Sequence, residues 1–207
     1  MLSGLRKKLL GILYIFIAVF PLLSRAEVYS LVPRPMHTDP GVVTVQEFFW
    51  YSCPHCYSID PEFEKWTHSL PKDVKVEIIP AVANIYWRKM ATLYYTLQDL
   101  GQLSKLHKKI FEAQHLSHVN LYDPDILKKF LTENKISWEK YQKVANSFGV
   151  TVRVKRSEDL VKNYGIEGVP AFVINGRYRV SVETAGSEKE LLKAVSKTIA
   201  VARSGKK

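Results

Sequence analysis

The chain has 207 residues, 46% of them hydrophobic, 24% charged and 12% aromatic, with 10 Gly and 10 Pro; this is a globular composition, and it excludes a disordered or collagen-like polymer. At roughly 150 residues per domain, the length accommodates one domain, or one domain with a sizeable insertion, but not two full ones. The formal charge of +10 comes without a basic nucleic-acid-binding motif, so no nucleic-acid partner is expected, and two Cys exclude a multi-disulfide scaffold and a four-cysteine zinc site.

Arg6, Lys7 and Lys8 precede an uncharged, mostly apolar run over residues 9–23, and Ser24-Arg25-Ala26 puts small residues at both key positions of a cleavage site. That run is short for a membrane-spanning helix, which needs about 20 residues, and Pro21 interrupts it. Residues 1–26 are therefore predicted to be a secretory signal peptide cut after Ala26. Its loss removes four of the 30 basic residues and none of the 20 acidic ones, leaving an exported chain of charge about +6. In an oxidising compartment, two Cys this close together are not expected to stay idle thiols.

Residues 28–32 fit an edge strand among Pro33, Pro35 and Pro40. Residues 42–49, β-branched and aromatic and apolar on both alternations, predict a central strand buried on both faces. Cys53-Pro54-His55-Cys56 follows, then a helical pattern through residue 70 that Pro61 should kink or interrupt. Residues 74–79 read as a second strand ending at Pro80, and this strand-helix-strand unit favours a parallel sheet.

From about residue 85 to 148 the period is helical, with helices expected at 87–101, 104–112, 123–134 and 137–148. This all-helical block between two stretches of α/β pattern reads as an insertion. Trp87, Tyr94, Tyr95, Trp138 and Tyr141 read as core or interhelical packing. The histidines are scattered, and His115 and His118 are expected on a solvated loop or helix end. A helix at 157–164 precedes two short strands at 171–174 and 177–182 around Asn175-Gly176, a type I′ hairpin signal. A helix at 187–202 closes the chain, with Ser187 and Glu190 in capping-box spacing.

Cys-x-x-Cys at a strand exit and helix entry places the first sulfur at the exposed helix N-terminus and the second one turn inside. Free N–H groups and the positive end of the helix dipole stabilise an anion at Cys53, and His55 in the same turn adds charge or a ring N–H. Stabilising the dithiol in this way makes the disulfide the stronger oxidant. Two plainer uses compete with this one. Zinc needs four ligands and this chain offers one cysteine pair, while a disulfide closing so small a loop constrains the unfolded chain little.

Glu47-Phe48-Phe49, then Cys53-Pro54-His55-Cys56-Tyr57, the inserted helical block and Gly168-Val169-Pro170-Ala171 opening a strand together resemble the DsbA family of thiol-disulfide oxidants. The resemblance spans essentially all of the chain after the signal peptide. It implies an α/β thioredoxin-like fold with an inserted all-helical domain. Residues 27–82 and 150–207 would form the thioredoxin-like domain and residues 83–149 the insertion.

The resemblance also implies roles. Cys53 forms the mixed disulfide, Cys56 resolves it, and Pro54 and His55 tune the pair. Pro170 is a cis-proline facing the sulfurs, and Val169 offers its backbone to an extended substrate. Glu47 matches the family's buried acid; on the residues alone, a Glu in an apolar strand lies either at an exposed edge or near the cysteines for proton transfer. Tyr51-Ser52 departs from the patterns familiar before the first cysteine.

The expected function is oxidation of cysteine pairs in folding exported proteins, in the periplasm, with no cofactor beyond the Cys53–Cys56 disulfide. A DsbB-type membrane quinone reductase would act as reoxidant. The alternatives are a reductase or isomerase, or, in a different class, a non-catalytic metal-binding or chaperone module. A familiar isomerase carries a dimerisation module for which the N-terminal segment has no room, so a monomer is expected.

Overall fold

In the computed structural model, which describes residues 27–39 and 41–205, five strands form one sheet: β1 (Ser30–Leu31), β2 (Val43–Phe49), β3 (Val74–Pro80), β4 (Ala171–Ile174) and β5 (Tyr178–Ser181). The expected signal peptide lies outside the described residues. The helices are α1 (Pro54–His68), α2 (Ile85–Asp99), α3 (Leu103–His115), α4 (Pro124–Glu133), α5 (Trp138–Ala145), α6 (Phe148–Tyr164), α7 (Val182–Ala185) and α8 (Leu191–Ser204).

The strand order is β1-β5-β4-β2-β3, so β2 lies inside the sheet and is buried along nearly its whole length, as its two apolar alternations require. It runs parallel to β3, from Val43 opposite Val74 to Phe49 opposite Pro80, and antiparallel to β4, from Val45 opposite Ile174 to Phe48 opposite Ala171. The sheet is therefore mixed rather than parallel. One strand-helix-strand unit makes one parallel pair, and the tight turn after β4 sends β5 straight back. Asn175 and Gly176 have φ of 49° and 60°, and the Arg177 N–H donates to the Ile174 carbonyl at 3.0 Å, as a type I′ turn requires. A Cβ at Gly176 would also stand 2.5 Å from the Met36 carbonyl oxygen, a second reason for glycine there.

Three further corrections concern helices. α1 runs on through Pro61: Ile59 and Phe63, buried on either side of it, offset the one backbone hydrogen bond it cannot donate. Residues 148–164 form one helix, not a short one from 157, because the Ser147 hydroxyl accepts the Val150 N–H and caps a new start; left-handed Gly165 ends it. α2 likewise begins before residue 87, where the Asn84 side chain accepts from the Tyr86 and Trp87 N–H groups.

On one face of the sheet, Val43, Val45, Phe172 and Val180 pack on Ile59 and Phe63 of α1 and on Leu191, Val195 and Ile199 of α8. On the other, Phe48, Ile79 and Val173 pack on Leu160, Val161 and Tyr164 of α6. A third apolar cluster joins α2 to α5 and reaches Phe49, Tyr51, Cys53 and Cys56. The core of the helical block thus continues into the cysteine turn. Among the described residues, no helix is long and apolar enough to cross a membrane.

Candidate active site

β2 ends at Phe49, the chain turns as the Cys53 N–H donates to the Trp50 carbonyl at 3.0 Å, and α1 begins at Pro54. Cys53 is the N-cap in extended backbone, and Pro54 occupies a first-turn position where its missing N–H costs nothing. The Cys53 sulfur accepts the Cys56 N–H at 3.4 Å, and its thiol donates to the Val169 carbonyl at 3.2 Å. β4 lies beside β2, so the segment entering it, with a cis Val169–Pro170 bond, is carried across the start of α1.

Both cysteines are free thiols and both are buried, Cys53 to 7% exposure and Cys56 to 2%. Cys53 is the more open of the two, but it is not on an exposed helix end, because Val169 lies against it.

The environments of the two thiols push them in opposite directions. The hydrogen bond from the Cys56 thiol does most to lower Cys53, from 9.0 to about 6; the Cys56 and His55 backbone N–H groups and the His55 charge assist against the opposing effect of burial. Burial first, then the Cys53 sulfur, hold the Cys56 thiol well above the ordinary range. The neighbouring thiol and the helix N-terminus therefore do more for Cys53 than the His55 charge does. The His55 side chain is 67% exposed and its Nδ1 lies 2.7 Å from Oε2 of Glu188, in the turn between α7 and α8.

Glu47 is on β2 and buried, which excludes the exposed-edge alternative. Strand alternation puts it on the same side as Val43 and Val45, toward α1. Burial, and next to it the charge of Asp60 one turn beyond Cys56, hold its carboxyl well above the ordinary carboxylate range. No hydrogen bond to that carboxyl is made among the described residues.

The other flank of the turn is built from residues that the motif does not mark. The Tyr51 hydroxyl meets His107 Nδ1 at 2.8 Å, and His107 Nε2 meets Asp60 at 3.2 Å. His115 Nε2 donates to the Tyr51 carbonyl at 2.8 Å, and its ring stacks on Tyr57 at 4.9 Å. The Ser52 hydroxyl bonds both Gln114 and Tyr122, and Trp50 stacks on Trp87. His115 is therefore a partly buried anchor at the end of α3 rather than a solvated residue, whereas His118 does lie in the following loop. A signal for this flank was present in the aromatic density of residues 48–57 and 86–95.

A groove of about 380 Å³ runs beside the turn between His55 and the segment from Ile166 to Ala171, reaching Arg179 and Glu183. Among the described residues, no group of three or more His, Cys, Asp or Glu side chains is placed to hold a metal ion. A nucleophilic, ionisable sulfur next to a shielded one, in contact with a backbone carbonyl and beside a groove, is an arrangement for thiol-disulfide exchange.

Comparison with known proteins agrees. Residues 81–195 match the family model of the DSBA-like thioredoxin domain. The chain is 32% identical to the thiol:disulfide interchange protein DsbA of Azotobacter vinelandii over 97% of this chain and 99% of that one, a span that includes the cysteine turn. It is 35% identical to the DsbA of Pseudomonas aeruginosa over 78% of this chain and 76% of that one. The crystal structure of Pseudomonas aeruginosa DsbA superposes with a TM-score of 0.80 at 32% identity, covering 86% of this chain and 94% of the other. The chain belongs to the DsbA family of thiol:disulfide oxidoreductases, with the thioredoxin-like fold and helical insertion of that family.

Proposed function

We propose that this oxidoreductase works as an exported donor of disulfide bonds. A substrate thiolate attacks the Cys53 sulfur of the Cys53–Cys56 disulfide; the S–S bond breaks, Cys56 leaves as a thiolate and is protonated, and a mixed disulfide joins the substrate to Cys53. The second substrate thiolate then attacks the substrate sulfur and expels the Cys53 thiolate. The substrate leaves oxidised by two electrons and the protein is left as the dithiol. The direction is carried by one observation: Cys53 is lowered to about 6, so the reduced form is stabilised and the disulfide is the more oxidising for it.

Each site residue has a part in this scheme. Cys53 is the attacked sulfur, Cys56 the resolving one, and Pro54 and His55 set the helix entry and its charge. Val169 has a free N–H among the described residues, and with Pro170 it offers backbone to an extended substrate. Glu47, buried with its carboxyl raised well above the ordinary range, is the group assigned to supply the proton that the Cys56 thiolate takes up.

The wider reading is a periplasmic monomer cut after Ala26, acting on folding exported proteins and reoxidised by a DsbB-type membrane quinone reductase. Its working group is its own disulfide. Residues 27–82 with 150–207 form the thioredoxin-like domain and residues 83–149 the insertion.

The test is to equilibrate the protein with glutathione buffers. A potential well above the glutathione range is expected, and one near that of thioredoxin would reverse the direction. Cys53→Ser should abolish oxidation of peptide cysteines, and in Cys56→Ser the Cys53 thiolate should attack oxidised glutathione, expel one glutathione thiolate and hold the mixed disulfide; full turnover by Cys53→Ser overturns the scheme.

A further inference from the structure

Of the two residues between the cysteines, only His55 is ionisable, and its ring is not free. Its Nδ1 is engaged at 2.7 Å by Oε2 of Glu188, which lies 133 residues further along the chain. No hydrogen bond joins the ring to the Cys53 sulfur among the described residues.

The carboxylate is presented by a tightly built loop. The Ser181 hydroxyl accepts the Thr184 N–H at 3.3 Å while the Thr184 hydroxyl accepts the Ser181 N–H at 3.0 Å, and Gly186 turns the chain with φ of 84°. The Glu190 N–H then donates to the Ser187 hydroxyl at 3.3 Å and the Leu191 N–H to the Glu188 carbonyl at 3.1 Å. Leu191 and Val195, both fully buried, pin α8 to the sheet. Hydrogen bonds from Ser58 and His55 hold the Glu188 carboxyl below the ordinary range, so it is an anion at neutral pH.

We infer that Glu188 is a positioning residue that restrains the oxidising power of the Cys53–Cys56 couple by holding the His55 ring and balancing its charge beside the Cys53 sulfur. The inference rests on the oxidant reading above. A cation near Cys53 favours the thiolate and hence the dithiol; a carboxylate in contact with that cation cancels part of its field, and it also takes the Nδ1–H that would otherwise be free to turn toward sulfur. The other charged side chains that face His55 across the groove are Glu167, Glu183 and Arg179. Arg179 is committed to the Ser30 hydroxyl and the Gly165 carbonyl. Glu188 is the charged group in hydrogen-bond contact with the ring.

The test compares wild type, Glu188→Gln, Glu188→Asp, His55→Ala and the double variant His55→Ala with Glu188→Gln. The readouts are equilibrium with glutathione and titration of the Cys53 thiolate by its ultraviolet absorbance. Because the pair is half in solvent, Glu188→Gln should move the equilibrium only about two- to fivefold toward the dithiol, with the thiolate titrating at lower pH. Glu188→Asp should recover part of the wild-type value, and the Gln change should do nothing in the His55→Ala background. An unchanged couple, a shift toward the disulfide, or an equal shift without His55 overturns the inference. The wild-type potential judges the oxidant reading independently of these ratios.

Discussion

On its sheet side the cysteine turn meets mainly backbone: the Val169 carbonyl at 3.2 Å from the Cys53 sulfur, with the Cys56 N–H on the same atom at 3.4 Å. On its helical side it meets side chains: the rings of Tyr94, His107, Phe111 and His115 and the Ser52 contacts with Gln114 and Tyr122. The Cys56 thiol first, and then the backbone N–H groups at the helix N-cap, set the chemistry of Cys53 from within the turn itself. The side-chain flank packs the apolar cluster that contains both cysteines, and burial is the first cause that raises the Cys56 thiol. The two flanks should therefore respond differently to substitution.

The largest separation is expected from Phe111→Ala. This ring is 1% exposed and lies 5.0 Å from Tyr51, 5.8 Å from Tyr57 and 5.9 Å from Phe49. Its loss should cost about 3–5 kcal/mol in urea unfolding, while Cys53 in the still-folded variant keeps titrating near 6. A thiol returned to its ordinary range would show that the helical flank also governs the chemistry.

The second prediction sharpens the sheet side. The folded-state value of Cys53 is depressed from 9.0 to about 6, so its contribution to the reduced protein's stability is fully present above the unfolded value and is lost as pH falls through the folded one. It should amount to about 1.4 kcal/mol at pH 7 and on the order of 4 kcal/mol near pH 9, vanishing below pH 6. Denaturation of the reduced protein against that of Cys53→Ser over this range measures it, and parallel curves would remove the proposed thiolate. The smallest effect is expected from Tyr51→Phe, which takes the hydroxyl from His107 and keeps the ring. A cost of about 1 kcal/mol with no change in redox equilibrium fits the comparison; a changed equilibrium breaks it.

The same division decides what can be read from sequence. The buried strand at 43–49, the cysteine pair at its exit and the Asn175-Gly176 turn are local patterns, and each stands in the fold where its pattern places it, whereas the cis Val169-Pro170 step is legible only through the family resemblance. Glu188 beside His55 and His107 beside Tyr51 left no such trace. They are 133 and 56 residues from their partners, and a polar residue on a helix or turn reads as solvated until tertiary packing supplies its contact. Pro61 inside α1 and the single helix from 148 to 164 eluded local rules for a related reason. Burial of Ile59 and Phe63 overrode a helix breaker, and a serine cap started a helix earlier than its apolar period suggested.

The stacked indoles of Trp50 and Trp87, 4.6 Å apart and 7° from parallel, join the strand exit to the first helix of the insertion. Two chromophores at that separation share their excited state, so the protein carries an optical gauge of the contact between the strand exit and α2. Circular dichroism of the indole bands reports that contact without a label.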